Sequence, residues 1–206
     1  MALISTTTLK EYLPEIQGTG ADSELTSLLS RVEVAVASYL GFPMINTGST
    51  YKCTMEANTT TQYYDGPTFS NGLLLDLRVK PVISVTSVHS DPYQEYGSDT
   101  LIPASTYEVD LLKGHIRLLP KNVTEVFERG YRAIKVVFVA GYSSSNIPPD
   151  IQHAICVYAS QLHRNKTTQG KETVSQRGGS VNISPKTMPQ EVKQLLNPYR
   201  MSGVIL

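Results

Sequence analysis

His153 and Cys156 stand three residues apart, which places an imidazole and a thiol on one face if the segment is helical. That is the most metal-like spacing in the chain. A zinc site, however, takes three or four ligands, and no third or fourth one stands near; His163, ten residues on, falls elsewhere. A Ser/His/Asp set can be assembled on paper from any such composition, but no G-x-S-x-G or comparable nucleophile turn exists. The glycine-bearing runs GSTYK and QRGGS lack the spacing of a phosphate-cradling loop. Glu108 and Asp110 are two apart in a strand-like run and so share a face, where carboxylates are ordinarily just solvated. Twelve tyrosines without a tryptophan could build a ligand or carbohydrate surface. Tyrosines scattered through strands are more simply half-buried packing with a wet hydroxyl. No residue is therefore assigned a catalytic, cofactor-binding or metal role, no cofactor is expected, and the chain does not read as an enzyme.

The elements that would carry these groups are more informative. Residues 147–165, IPPDIQHAICVYASQLHRN, open with two prolines at a helix start and an acidic residue near the positive dipole end. Ile151, Ala154, Ile155, Tyr158 and Leu162 then recur as an amphipathic stripe. A second helix is predicted over 23–40, capped by Asp22. Its stripe is Leu25, Leu28, Leu29, Val32, Val36, Tyr39 and Leu40, with Gly41 where a terminating glycine belongs and Pro43 beyond it. A short helix before it has Thr8 and Glu11 spaced as a capping box. The core of the helical frame is expected at Leu28, Leu29, Val32, Val36, Ile151, Ile155, Tyr158 and Leu162.

Between the helices the period changes to that of strands. YKCTME and TTTQYYD read as two short strands joined at Ala57-Asn58, followed by LLLDLR and VISVTSVHS. TYEVD and HIRLL flank 111–114, a hairpin with glycine at its turn, and YRAIKVVFVAG closes the set. Nothing helical separates these strands, so the pattern is an inserted sheet and the fold class α+β. The division expected is a helical frame from 1–50 and 142–165, a β-rich insertion over 51–141, and a C-terminal arm over 166–206. Within the arm, 166–187 has no periodicity and is expected to be mobile in the free subunit. MPQEVKQLLNPYR then makes a short helix near 189–197 whose apolar face has no evident intramolecular partner.

Charge is zero overall but unevenly spread. Residues 1–163 hold 11 Lys/Arg against 16 Asp/Glu, and residues 164–206 hold 7 against 2. A mildly acidic body with a basic arm suggests that the arm meets something acidic. No apolar run approaches the roughly 20 residues that span a bilayer, so no membrane partner is expected. The N-terminus does not read as a signal peptide. Two cysteines fit reduced intracellular thiols rather than a disulfide framework.

In this order, LISTTTLKEYL, DSELTSLLSRVEVAVASYLG, PVISVTSV, YEVDLLKGHIRLL, VVFVAGY, IPPDIQHAICVYASQLHRNK and MPQEVKQLLNPYR resemble the head–tail connector (adaptor, or head-completion) proteins of long-tailed double-stranded DNA phages and prophages. Residues 51–72 have no counterpart in that pattern. The resemblance implies a structural virion protein at the neck, assembled in the bacterial host cytoplasm as a homo-oligomeric ring of twelve subunits under the portal protein. Such a ring extends the DNA channel, passes double-stranded DNA without sequence-specific binding, and presents a platform for a downstream stopper or tail-completion protein. It further implies that the arm docks the portal, with Lys186, Val192, Lys193, Leu195, Leu196, Tyr199 and Arg200 as the expected contacts. Zero net charge with separated signs suits heterologous contacts between copies. Two alternatives remain: a nucleic-acid-binding module using the basic arm, and a tail or baseplate β-module, against which the lack of tryptophan and the helical frame count.

Overall fold

A computed structural model of the chain describes residues 3–46, 51–66, 73–119, 127–166, 173–176, 179–182 and 188–201. They fall into two units, one of 3–55 with 144–201 and one of 56–143. Helices and antiparallel sheets together make an α+β fold. No helix among the described residues is long and apolar enough to cross a membrane.

The first unit is built on helices. Helix α1 (Thr6–Lys10) is capped by Ser5, whose extended backbone lets its Oγ accept the Thr8 N–H at 3.1 Å. The expected Thr8/Glu11 box is therefore displaced by a hydroxyl three residues earlier. Helix α2 (Asp22–Leu40) starts one residue before the predicted span, and Asp22 lies inside its first turn rather than capping it. That carboxylate pairs instead with Lys10, and with Glu24 it complements the helix dipole. Gly41 terminates α2 at φ +87°, a conformation costly for any residue with a Cβ. Strands β1 (Met44–Asn46) and β2 (Tyr51–Cys53) pair antiparallel after it.

Helix α3 (Pro149–Arg164) has Pro148 as its N-cap and Pro149 in its first turn. It packs against α1, α2 and the C-terminal helix α4 (Gln190–Leu196). Leu28, Leu29, Val32 and Val36 of α2 are buried, as are Ile151 and Ile155 of α3, whereas Tyr158 and Leu162 are only half-buried. The buried stripe of α3 is rotated from the expected one toward Cys156, Ala159 and Ser160. Small side chains let neighbouring helices approach closely, and a helix contacted by three others needs a wide buried face.

The second unit contains two three-stranded antiparallel sheets. In one, β8 (Ile134–Ala140) lies between β3 (Asn58–Tyr64) and β5 (Val82–Ser90). In the other, β7 (His115–Leu118) lies between β4 (Leu74–Asp76) and β6 (Tyr107–Asp110). The period-two pattern of β8 is strict, with Ile134, Val136, Phe138 and Ala140 buried. The two short strands expected in YKCTME and TTTQYYD both form, β2 and β3, and they do not pair with each other. β2 joins β1, while β3 runs from Asn58 opposite Ala140 to Tyr64 opposite Ile134. The boundary expected at 51 accordingly moves to 56. The β6–β7 hairpin forms as read, with Gly114 at φ +67° donating its N–H to Asp110 O at 2.7 Å. The loop after β5 is organised by Asp91, 2 % exposed, whose carboxylate accepts the N–H groups of Tyr93, Glu95 and Tyr96 at 2.7–2.8 Å.

The region expected to lack structure after α3 instead contains an antiparallel pair, β9 (Thr173–Gln176) with β10 (Gly179–Asn182). Val174 sits opposite Val181, within a run of β-branched and hydroxyl residues that suits strands. Residues 167–172, 177–178 and 183–187 of the expected mobile arm, and Lys186 with them, lie outside the described residues.

Candidate docking site

The C-terminal segment holds most of the residues expected to contact a partner, and the structure divides them in two. Val192 and Leu196 are four apart, on one helix face, and both are 0 % exposed where α4 meets α3. The apolar face of α4 thus has an intramolecular partner, contrary to the sequence expectation. An apolar stripe states that a helix must bury one side; it does not state against what.

The remaining residues lie nearer the surface. Lys193, Leu195 and Tyr199 are half-buried and Arg200 is exposed. The turn that follows α4 is tied to the frame at several points. Tyr39 donates its hydroxyl to Asn197 Oδ1 at 2.7 Å, Met201 N–H reaches Leu40 O at 2.9 Å, and Arg200 lies 5.3 Å over the Tyr39 ring. Tyr199 donates its hydroxyl to Asp150 Oδ2 at 3.1 Å. Partial burial, and then that carboxylate, hold the Tyr199 phenol above its ordinary pKa, so it stays a neutral donor.

Part of the basic excess after residue 163 is matched within the unit. Arg164 bonds Glu15 at 3.1 Å through Nε and the Tyr12 carbonyl at 2.9 Å. The hydrogen bond from Arg164 holds the Glu15 carboxyl below its usual range. Lys166 reaches Glu24 at 2.7 Å and lowers that carboxyl in the same way. Of the described basic residues after 163, Lys193 and Arg200 make no ion pair among the described residues.

The groups considered for chemistry are placed elsewhere. His153 Nδ1 and the Tyr12 hydroxyl share a hydrogen bond of 2.8 Å, their rings 5.6 Å apart, on the exposed side of α3. Cys156 is fully buried, and burial pushes its thiol up to about 11, which keeps it protonated. Glu108 and Asp110 are exposed on β6. No group of three or more His, Cys, Asp and Glu able to hold a metal occurs among the described residues.

A family model described as "Head completion protein" matches residues 2–202 of the chain. The chain belongs to the head completion protein family. Its residue order resembles this head–tail connector family, and the match extends over both units. Similar solved structures come from gene transfer agent (GTA) particles, although no curated protein matches. One is the neck of a native GTA particle computed with C12 symmetry, 19% identical, covering 89% of this chain and 85% of that one, with a TM-score of 0.52. Another is the neck of an empty particle computed with C6 symmetry, 18% identical, covering 96% and 90%, with a TM-score of 0.55. A chain of the native particle's virion gives 19% identity, 92% and 82% coverage, and a TM-score of 0.53. At that identity the likeness is one of fold. This head completion protein therefore shares its architecture with the neck components while differing at most positions.

Proposed function

We propose that the protein is a structural component of the neck, forming a twelve-subunit ring between the portal and the next connector or tail protein and extending the DNA channel. The observation that carries this reading is the family match over 2–202. The C12 and C6 necks in which its fold neighbours occur support the ring. The head completion family is one of structural virion proteins, which supports a structural rather than a catalytic role.

Within this reading the portal contact is carried by Lys193, Leu195, Tyr199 and Arg200, with Lys186 as a further candidate. Val192 and Leu196 contribute by seating α4 on α3 so that those side chains are presented from a firm base. The acidic complement on the portal would pair with Lys193 and Arg200. Repetition around the ring would multiply each weak contact.

The test is electron microscopy of particles assembled with wild-type protein or with Lys193→Glu/Arg200→Glu. Those substitutions leave the buried face of α4 intact. Twelve-fold density under the portal, lost in the double variant, is the expected result. Normal attachment of the variant would refute the docking role, and wild-type necks lacking the protein would refute the placement.

A further inference from the structure

The second unit has an exposed strand edge of an unusual kind. In the sheet β3-β8-β5 both outer strands are edges among the described residues. β5 carries register shifts between Val82 and Ser84 and between Val85 and Ser87, irregularities that blunt an edge against further pairing. β3 pairs with β8 in unbroken register across all seven of its residues, and its sequence NTTTQYY contains no Pro, Lys or Arg. Among the described residues no strand pairs with its outer side, which presents a regular row of peptide groups.

A cavity of about 400 Å3 runs along this edge. Thr61, Gln62 and Tyr63 line it in succession. Neighbouring residues of a strand point to opposite faces, so a wall made of three consecutive ones is the edge itself. Arg78, Tyr131 and Arg132 complete the lining.

The two guanidiniums are positioned and uncommitted. Arg132 lies 4.2 Å over the Tyr63 ring and Arg78 lies 5.1 Å over the Tyr64 ring. Both residues are exposed, and neither is ion-paired among the described residues. Stacking on an aromatic face leaves the planar N–H fork free for a carboxylate. The backbone of Arg132 holds φ +53°, a left-handed conformation uncommon outside glycine. It is fixed by its N–H to Asp65 Oδ1 at 2.8 Å and by the Tyr96 hydroxyl donating to its carbonyl. The Arg78 N–H is held by the Tyr64 hydroxyl at 3.1 Å. Asp65 also borders the cavity, so the lining carries two cations against one carboxylate that already bonds an amide.

This local positive charge sits in a unit that is otherwise acidic: residues 56–143 contain 8 Lys/Arg and 10 Asp/Glu. A nucleic-acid backbone needs neutralising along its length, and the groove offers only two guanidiniums, with Asp65 beside them. An extended peptide bearing one or two carboxylates needs only the strand edge and the two arginines.

We propose that the β3 edge and the Arg78/Arg132 cavity form a docking groove for an extended acidic segment of a partner protein, added to the sheet as a further strand. Main-chain hydrogen bonds to β3 would give affinity, and carboxylates on the two guanidiniums would select the sequence. The groove is separate from the C-terminal contact and does not depend on the connector reading.

Fluorescence polarisation with the full chain tests it, using a labelled peptide alternating Glu and Val. The comparison probes are its Lys-for-Glu counterpart, the same acidic peptide N-methylated at alternate amides, and a duplex oligonucleotide. The acidic peptide should bind, and the other three should bind weakly or not at all. Arg78→Gln and Arg132→Gln should each weaken it about tenfold, the scale of one lost charge-assisted contact, while Arg117→Gln, exposed on β7, should not. If Arg132→Gln disturbs its loop, Arg78→Gln and the N-methylated probe still decide the matter. Equal binding of the Lys peptide, undiminished binding of the N-methylated peptide, absence of acidic-peptide binding, or capture of the duplex alone would each overturn the proposal.

Discussion

Replacing Leu196 with alanine asks whether α4 is seated on α3 in solution. Leu196 is 0 % exposed, so the substitution withdraws its side-chain carbons from a fully buried site. Each buried CH2-sized group is worth roughly 0.8 kcal/mol, which gives about 2.4 kcal/mol for the three removed. The space left behind adds to this, and buried Leu→Ala changes typically cost ~2–5 kcal/mol. A value of about 3 kcal/mol corresponds to a drop in Tm of roughly 6–12 °C for a chain of this size. The neighbouring Leu195 is half-buried, so Leu195→Ala should cost about 1 kcal/mol or less. The assay is thermal and urea unfolding of the isolated protein followed by circular dichroism. If the two units melt separately, the shift should fall on the transition of the helical unit. A seven-residue helix is not stable alone, so loss of seating should also lower the helical signal. Equal and negligible effects of the two alanines would refute the packing of α4, and with it the division of its residues into buried and outward-facing sets.

Three further outcomes are expected. Ile155→Ala, at a fully buried position of α3, should cost ~2–5 kcal/mol in the same unfolding assay. Asp91 has its carboxyl pKa lowered, chiefly by the Tyr96 amide; its contribution should be complete above the unfolded value of about 4 and fade as pH falls through the lower folded one. Urea midpoints of the wild type and Asp91→Asn should therefore differ at neutral pH and converge in acid. Iodoacetamide at neutral pH should label Cys53, which is half-buried, and leave Cys156 untouched until the protein unfolds, as read by intact mass.

Local signals in the chain are legible where the physics is local. The stripe and terminal glycine of α2, the proline start of α3 and the glycine turn of the β6–β7 hairpin each depend on residues a few positions apart. The capping of α1 was ambiguous because Ser5 and Thr8 both offer a hydroxyl, and only backbone geometry separates them. The partners of β2 and β3 were hidden for a different reason. Strand pairing is set by complementary faces, and β3 finds its match in β8, beyond four intervening strands. The rotation of the α3 stripe toward Ala159 and Ser160 follows from how many helices surround it, which no single-helix period records. Arg78 and Arg132, more than fifty positions apart, carry no shared sequence signal; the sheet alone brings them to one groove.

The chain enters and leaves the β unit at one place. Glu56 bridges Tyr142, and Ala57 N–H reaches the Tyr142 carbonyl at 2.8 Å. The unit's first and last strands are direct neighbours along their whole length. Such a clasp keeps the two ends of the segment together, so exposed loops between them can lengthen or shorten without moving those ends apart. Excised at 56 and 143, the segment should fold with its ends already stitched together.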